Sequence, residues 1–305
     1  MDMIKWKRRI CRQGKTCYAG FLWGLEKTLG IDGAKKMDAL LRFGRKLNLA
    51  EPQTLADKVS WISLHALSDT AVRCTDKWEA RSYVASKGLE EILVPVYGGP
   101  VSSVDALDFA AFPNRFVLKA THGSAMNYFC RDKAALDERD CRTQVKRWLK
   151  TTYGTFSAEP HYRKLPHRVY CEAYLEEDLM DYKIHCLNGK PSFILVCSRR
   201  EGRHVQRDLF DPQWNRVQGL QSFRGHVPGT GQIKKPENLG QMLRIAEILS
   251  RDFAFVRVDL YNTEGRIFFG ELTFTPVNGV FAGYSQEFLE KEGKKLRITN
   301  LEPVK

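Results

Sequence analysis

The sequence predicts an α+β protein. Helical spacing dominates roughly the first ninety residues, short β-type runs set in at Ile92, and a hairpin pattern carrying two carboxylates occupies 256–273. With 305 residues and 43% hydrophobic content, the chain can bury one large or two moderate cores.

Residues 3–46 place Ile4, Trp6, Ile10, Tyr18, Phe21, Leu22, Leu25 and Leu29 at helical spacing among lysines and arginines, which predicts an amphipathic leading segment over 1–47. A helical region at 48–98 follows, with helices expected at 55–67, after Pro52 and Thr54, and at 76–86. Strands are expected at 93–97, 116–120, 168–174, 183–187, 192–197, 256–261 and 267–273, with Asn188-Gly189 as a hairpin turn and a helix at 140–152. The glycine-rich polar stretch 199–236 reads as a loop or lid, and 237–251 as a helix with Leu239, Met242, Ile245 and Leu249 on its apolar face.

Composition narrows the function classes. The apolar runs 19–25 and 192–197 fall short of the roughly 20 residues a spanning helix needs, and the amino terminus does not read as a secretory signal. Eight cysteines without C-x-x-C spacing fit buried thiols in a cytoplasmic protein better than a zinc site. The net charge is +12, and residues 1–50 hold twelve Lys or Arg against four acids. That asymmetry suits the inner face of an anionic membrane or another acidic partner, although a solvated basic helix would look the same. No nucleic-acid partner is expected.

An enzyme that uses a nucleoside triphosphate must neutralise phosphate charge with lysine, backbone N–H groups and magnesium. Gly14-Lys15-Thr16 imitates the end of a P-loop, but Arg9 stands where the motif needs its first glycine. The run F-V-L-K-A-T-H-G-S at 116–124 is better. Alternation can aim Lys119 inward, and the turn at His122, Gly123 and Ser124 can offer N–H groups to phosphate; an ordinary strand and turn would share the pattern. Arg257 and Asp259 share parity in one strand, as do Glu271 and Thr273 in the next, the hairpin turning at Thr263-Glu264-Gly265. Each pair therefore lies on one face, where two carboxylates could hold magnesium, though a solvated Arg257–Glu271 ion pair fits equally.

The ordered set Lys119, Glu172, Asp181, Lys183, Arg257, Asp259 and Glu271 resembles the ATP-grasp superfamily. Over about 47–285 the motifs D-K-W-E-A-R-S-Y-V, R-V-Y-C-E-A-Y-L, D-Y-K-I-H-C-L-N-G-K and F-G-E-L-T-F-T-P are similar to its teichuronopeptide-biosynthesis (TupA-like) branch. That resemblance implies an ATP-grasp fold, two α+β lobes holding ATP between antiparallel sheets, with an N-lobe at 99–171, a C-lobe at 172–290 and a tail at 291–305. It implies that Lys119 meets the nucleotide phosphates under a lid at 122–124. Backbone groups of Glu172, Ala173, Tyr174 and Leu175 would border adenine, and Asp181, Glu176 or Glu177 would hold ribose. Lys183 would add positive charge, and Arg199 or Arg200 would meet an acyl phosphate. Asp259 and Glu271 would bind Mg2+, with Thr273 where many members carry asparagine and Asn278 further on. The implied reaction joins a carboxylate to an amine with ATP, in synthesis or decoration of cell-surface polysaccharide. A sugar phosphotransferase, a glycosyltransferase and a non-catalytic binder of acidic polymers are the alternatives.

Overall fold

Helix α1 (Met3–Phe43) leads the chain, and Gly30, with φ 71°, breaks its helical geometry. A computed structural model describes residues 3–155, 157–176, 179–201, 204–230, 232–299 and 301, and side chains from Cys17 onward except at 199–201 and 204. Beyond Gly30 the helix turns Ala34, Lys35, Asp38 and Ala39 into the protein. Helix α2 (Leu55–His65) starts at a capping box in which Thr54 and Asp57 satisfy each other's backbone N–H groups. Helices α3 (Asp69–Thr75) and α4 (Lys77–Ser86) are capped by Ser68 and Asp76. The capped turns agree with the expected helices at 55–67 and 76–86, whereas α3, seven residues long, was not expected.

Strands β1 (Val96–Val101), β2 (Phe116–Ala120), β3 (Asn127–Cys130) and β4 (Val169–Ala173) build an antiparallel sheet in the order β1-β4-β2-β3. Strand β1 crosses the boundary expected at 98/99. Helix α5 (Glu138–Leu149) covers this sheet, burying Cys141 and Val145 beside Phe116, Leu118 and Ala120.

The second sheet has six strands: β5 (Asp181–Leu187), β6 (Lys190–Glu201), β7 (His204–Phe210), β8 (His226–Pro228), β9 (Phe255–Thr263) and β10 (Arg266–Thr273), ordered β10-β9-β5-β6-β7-β8. Asn188 and Gly189, at φ 51° and 76°, close the β5–β6 hairpin as Asn-Gly turns do.

Alternation decides the two faces. Tyr182, Ile184 and Cys186 pack with α3, α4 and α6 (Leu239–Ser250) on one side. Leu187, Phe193 and Leu195 pack with α2 and α7 (Gln286–Lys295) on the other. Each fully buried aliphatic such as Ile184 or Leu55 contributes about 1.5–3 kcal/mol to the fold. Toward one end that second face turns polar, at Asp181 and Lys183.

The expectation of a loop across 199–236 is corrected. Strand β6 runs on to Glu201, and β7 and β8 extend the sheet. Charge hid β7: Arg207 and Asp208 are both buried at adjacent, opposite-facing positions, so no hydrophobic alternation marks it. Helix α7, capped by Ser285, also escaped the sequence reading.

Candidate functional site

Backbone register assembles the polar patch. Asp259 of β9 lies opposite Lys183 of β5 on one side and Glu271 of β10 on the other, and Arg257 opposite His185 and Thr273. A two-residue turn at Glu264 and Gly265, both left-handed, would by itself set Glu271 opposite Val258, on the wrong face. A β-bulge between Phe269 and Glu271 restores the register. Gly270 permits it, since a Cβ there would sit 3.1 Å from the Asp259 carbonyl oxygen and 3.2 Å from the Tyr261 ring.

The charges interlock. Arg257 donates to both Asp259 oxygens at 2.6 Å, to Glu271 at 3.2 Å and to the Thr273 hydroxyl at 3.0 Å. Lys183 Nζ bridges Asp181 at 2.6 Å and Asp259 at 2.7 Å. Burial pushes the Asp259 carboxyl up against the pull of Arg257 and Lys183. Burial acts the same way on Glu271, but Lys77, Arg257 and Lys183 outweigh it and hold that carboxyl at about 2. Glu271 is therefore an anion at neutral pH, ready for a hard cation.

In the small sheet, Lys119 of β2 forms an ion pair with Glu172 of β4. The phenol of Tyr261 lies within the electrostatic reach of Asp181, Glu271, Glu172 and Asp259, so it marks the seam where the two clusters meet. Lys77 ties the large-sheet cluster to the turn after β2: its Nζ donates to the Gly123 carbonyl oxygen at 2.6 Å and stands 3.3 Å from Glu271. The sequence held this residue in D-K-W-E-A-R without a role. Its position just after the helix-capping Asp76 was the available signal.

Other expected residues are placed as follows. The His122 ring is buried, with Nε2 3.0 Å from the Trp148 carbonyl oxygen and its plane stacked on His167 at 4.3 Å. Burial lowers its pKa, so the ring is neutral. Ser124 is exposed and bonds the Tyr153 hydroxyl. Glu172 lies inside the ladder between β1 and β2, and the Ala173 N–H donates to Pro95 at 2.9 Å. Of the residues expected to border adenine, Tyr174 and Leu175 lie beyond the strand end. Arg115 lies over the Tyr174 ring at 4.3 Å. Glu176 accepts from the Thr263 hydroxyl. Glu177 and the side chains of Arg199 and Arg200 lie outside the described residues. His185 is buried and stacked on Phe193 at 4.1 Å, and burial holds it neutral.

Among the described residues no three His, Cys, Asp or Glu side chains converge to hold a metal. Two carboxylates side by side suit magnesium, which usually takes one or two protein carboxylates and completes its shell with phosphates and water. Thr273 Oγ1 donates to Glu271 at 3.2 Å. Asn278 is committed elsewhere: its side-chain oxygen accepts from Lys35 of α1 at 2.9 Å and its amide donates to Asp38.

A family model described as TupA-like ATPgrasp matches residues 57–296. No curated protein matches the chain. Among solved structures, a D-alanine–D-alanine ligase from Bacillus anthracis is 15% identical, over 75% of this chain and 66% of that one, with a TM-score of 0.46. The enzyme of that name from Helicobacter pylori is 11% identical, over 81% and 67%, with a TM-score of 0.45. The chain spans about two thirds of the length of these ligases. By the match over 57–296, the chain belongs to the TupA-like ATP-grasp family, and its two sheets are the lobes of an ATP-grasp fold.

Proposed function

From that membership we propose that the chain is an ATP- and magnesium-dependent ligase that joins a carboxylate to an amine. One observation carries the reading: Asp259 and Glu271 stand opposite each other on β9 and β10, ringed by Lys77, Lys183 and Arg257. A binder of acidic polymers has no need of paired carboxylates at the centre of its basic site.

Asp259 and Glu271 would hold magnesium, which supplies charge neutralisation at the phosphates when bound. Lys119 would bind phosphate oxygens and exchange its present partner Glu172 for them. In the first step a substrate carboxylate oxygen bonds to the γ-phosphorus as the bond to ADP breaks. In the second the amine nitrogen bonds to the acyl carbon, inorganic phosphate leaves and the nitrogen loses a proton. Lys183 and Arg257 would stabilise negative charge in both steps, held in place by Asp181 and Asp259. The neutral, enclosed ring of His185 serves packing rather than proton transfer.

The reading extends to the making or decoration of cell-surface polysaccharide, supported by the resemblance to the teichuronopeptide branch and by the basic balance of 199–224. Purified protein incubated with ATP, magnesium and pools of amino acids and uronic acids is expected to release ADP together with a product lighter by one water than its two substrates. ADP release with a phosphorylated sugar and no amine requirement would favour a phosphotransferase instead.

We further propose that α1 rests on an anionic membrane. No helix among the described residues is long and apolar enough to cross a bilayer. Yet Phe21, Trp23 and Leu29 are exposed, and the sequence before them carries Lys5, Lys7, Arg8, Arg9, Arg12 and Lys15. The chain is expected to sediment with phosphatidylserine vesicles, and at least tenfold less with neutral ones; equal partition would remove the proposal.

A further inference from the structure

Arg207 is a buried cation with no carboxylate paired to it among the described residues. The residue is 4% exposed, one nitrogen donates to the Gln221 carbonyl oxygen at 2.9 Å, and its Nε has no hydrogen-bond partner among the described residues. Burial lowers its pKa, and the neighbours that act on it are the phenol of Tyr284 and the thiol of Cys197 rather than an acid. An arginine enclosed without a counter-charge costs several kcal/mol, so the fold carries it where an anion can offset that cost.

Register places it on the catalytic face. Arg207 lies opposite Cys197, Cys197 opposite Asp181, and Asp181 opposite Tyr261, one row of side chains across β7, β6, β5 and β9. Asp181 is the residue bridged by Lys183 to the metal-binding carboxylate. The Tyr284 hydroxyl is buried without a hydrogen-bond partner among the described residues and lies within the electrostatic reach of Arg207, Arg257 and Lys183. Its ring is fixed by stacking on Phe288. Gly283 makes room for the guanidinium, because a Cβ there would come within 2.8 Å of it. A small surface cavity bordered by Arg207, but not by Tyr284, opens beside the Asp208–Arg216 ion pair and gives the arginine a side toward solvent.

We propose that Arg207 and the Tyr284 hydroxyl form a subsite for an acidic group of the second substrate, a carboxylate or a phosphate set apart from the reacting centre. The inference rests on the ligase reading and narrows it, since a substrate held there carries an anion besides the group being joined. A planar arginine fork and a hydroxyl suit two oxygens of one oxyanion.

The test is calorimetric titration of the full chain, saturated with magnesium and a non-hydrolysable ATP analogue, with glucuronate, glutamate and glucose 1-phosphate. At least one is expected to bind, the carboxylate and phosphate arms telling which oxyanion is preferred. Arg207→Gln is expected to weaken that binding at least tenfold and Tyr284→Phe at least threefold, with nucleotide affinity unchanged within twofold. Arg207→Lys, which keeps the charge and loses the fork, is expected to fall between. Binding to Arg207→Gln and Tyr284→Phe as tight as to the parent, or no binding of any of the three to the parent, overturns the subsite. Arg207-dependent binding in a protein that never forms an amide would sink the ligase reading alone. Amide formation with an unchanged KM in Arg207→Gln would sink the subsite alone.

Discussion

Glu271→Gln is expected to lower magnesium-dependent ADP release at least about a hundredfold while leaving the melting temperature within a few degrees. Glutamine keeps the size of the side chain and an oxygen for Arg257 and Thr273, so the hydrogen bonds at 3.2 Å survive while the charge is lost. Asp259 is a poorer probe. It is the shared partner of Arg257 and Lys183, two half-buried cations, and removing it would disturb their packing together with any metal site. The pH dependence follows from the sign of the shift. The Glu271 carboxyl is held at about 2, below its ordinary 4.5, so its stabilisation is complete above the higher value and fades as the pH falls through the lower one. Across any assay range near neutrality its charge is constant. Parent-like turnover of Glu271→Gln at saturating magnesium would remove the carboxylate from the mechanism.

Lys35→Met is expected to destabilise the fold by about 3 kcal/mol and to lower the melting temperature by roughly 6–10 °C. Lys35 is fully buried, and its Nζ donates to the Asn278 carbonyl oxygen at 2.6 Å, to the Asn278 side chain and to the Ala158 carbonyl oxygen. Methionine fills the space but leaves those acceptors without a donor. Val277 and Asn278 are both left-handed, at φ 49° and 59°, a costly pair for side chains other than glycine, and the lysine helps to hold them. Activity is expected to fall as well, because this turn follows β10, the strand that carries Glu271, within five residues of Thr273. Burial, partly offset by Glu159 and Asp38, lowers the Lys35 pKa to about 8. Above that pH the native state has released a proton that the unfolded chain keeps to about 10.5, so the parent gains stability relative to Lys35→Met as pH rises from 8. A melting temperature unchanged by the substitution would show that α1 merely leans on the family fold.

Alternation in single strands was legible, and it singled out Lys119, Arg257, Asp259 and Glu271 without any contact being known, whereas Lys183 came from the resemblance. What alternation could not supply was the register between β9 and β10, because an ordinary hairpin from the Glu264-Gly265 turn leaves the carboxylates on opposite faces. Gly270 was the visible mark of the bulge, a glycine inside a strand pattern. Contacts between distant segments were silent: Lys35 meets Asn278 across 243 residues, and Lys77 meets Gly123 across 46. Charge was read as exposure at β7, where Arg207 and Asp208 are in fact enclosed. The turn at 122–124 was legible as a turn, yet not the burial of its histidine against Trp148 and His167.

A crystal structure of the chain with manganese and a non-hydrolysable ATP analogue tests the shared grip on the nucleotide most directly. Anomalous density for the metal between Asp259, Glu271 and the phosphates, with Lys119 turned from Glu172 onto a phosphate oxygen, is the predicted result. Metal and triphosphate bound away from those carboxylates, with the Lys119–Glu172 pair intact, would contradict it.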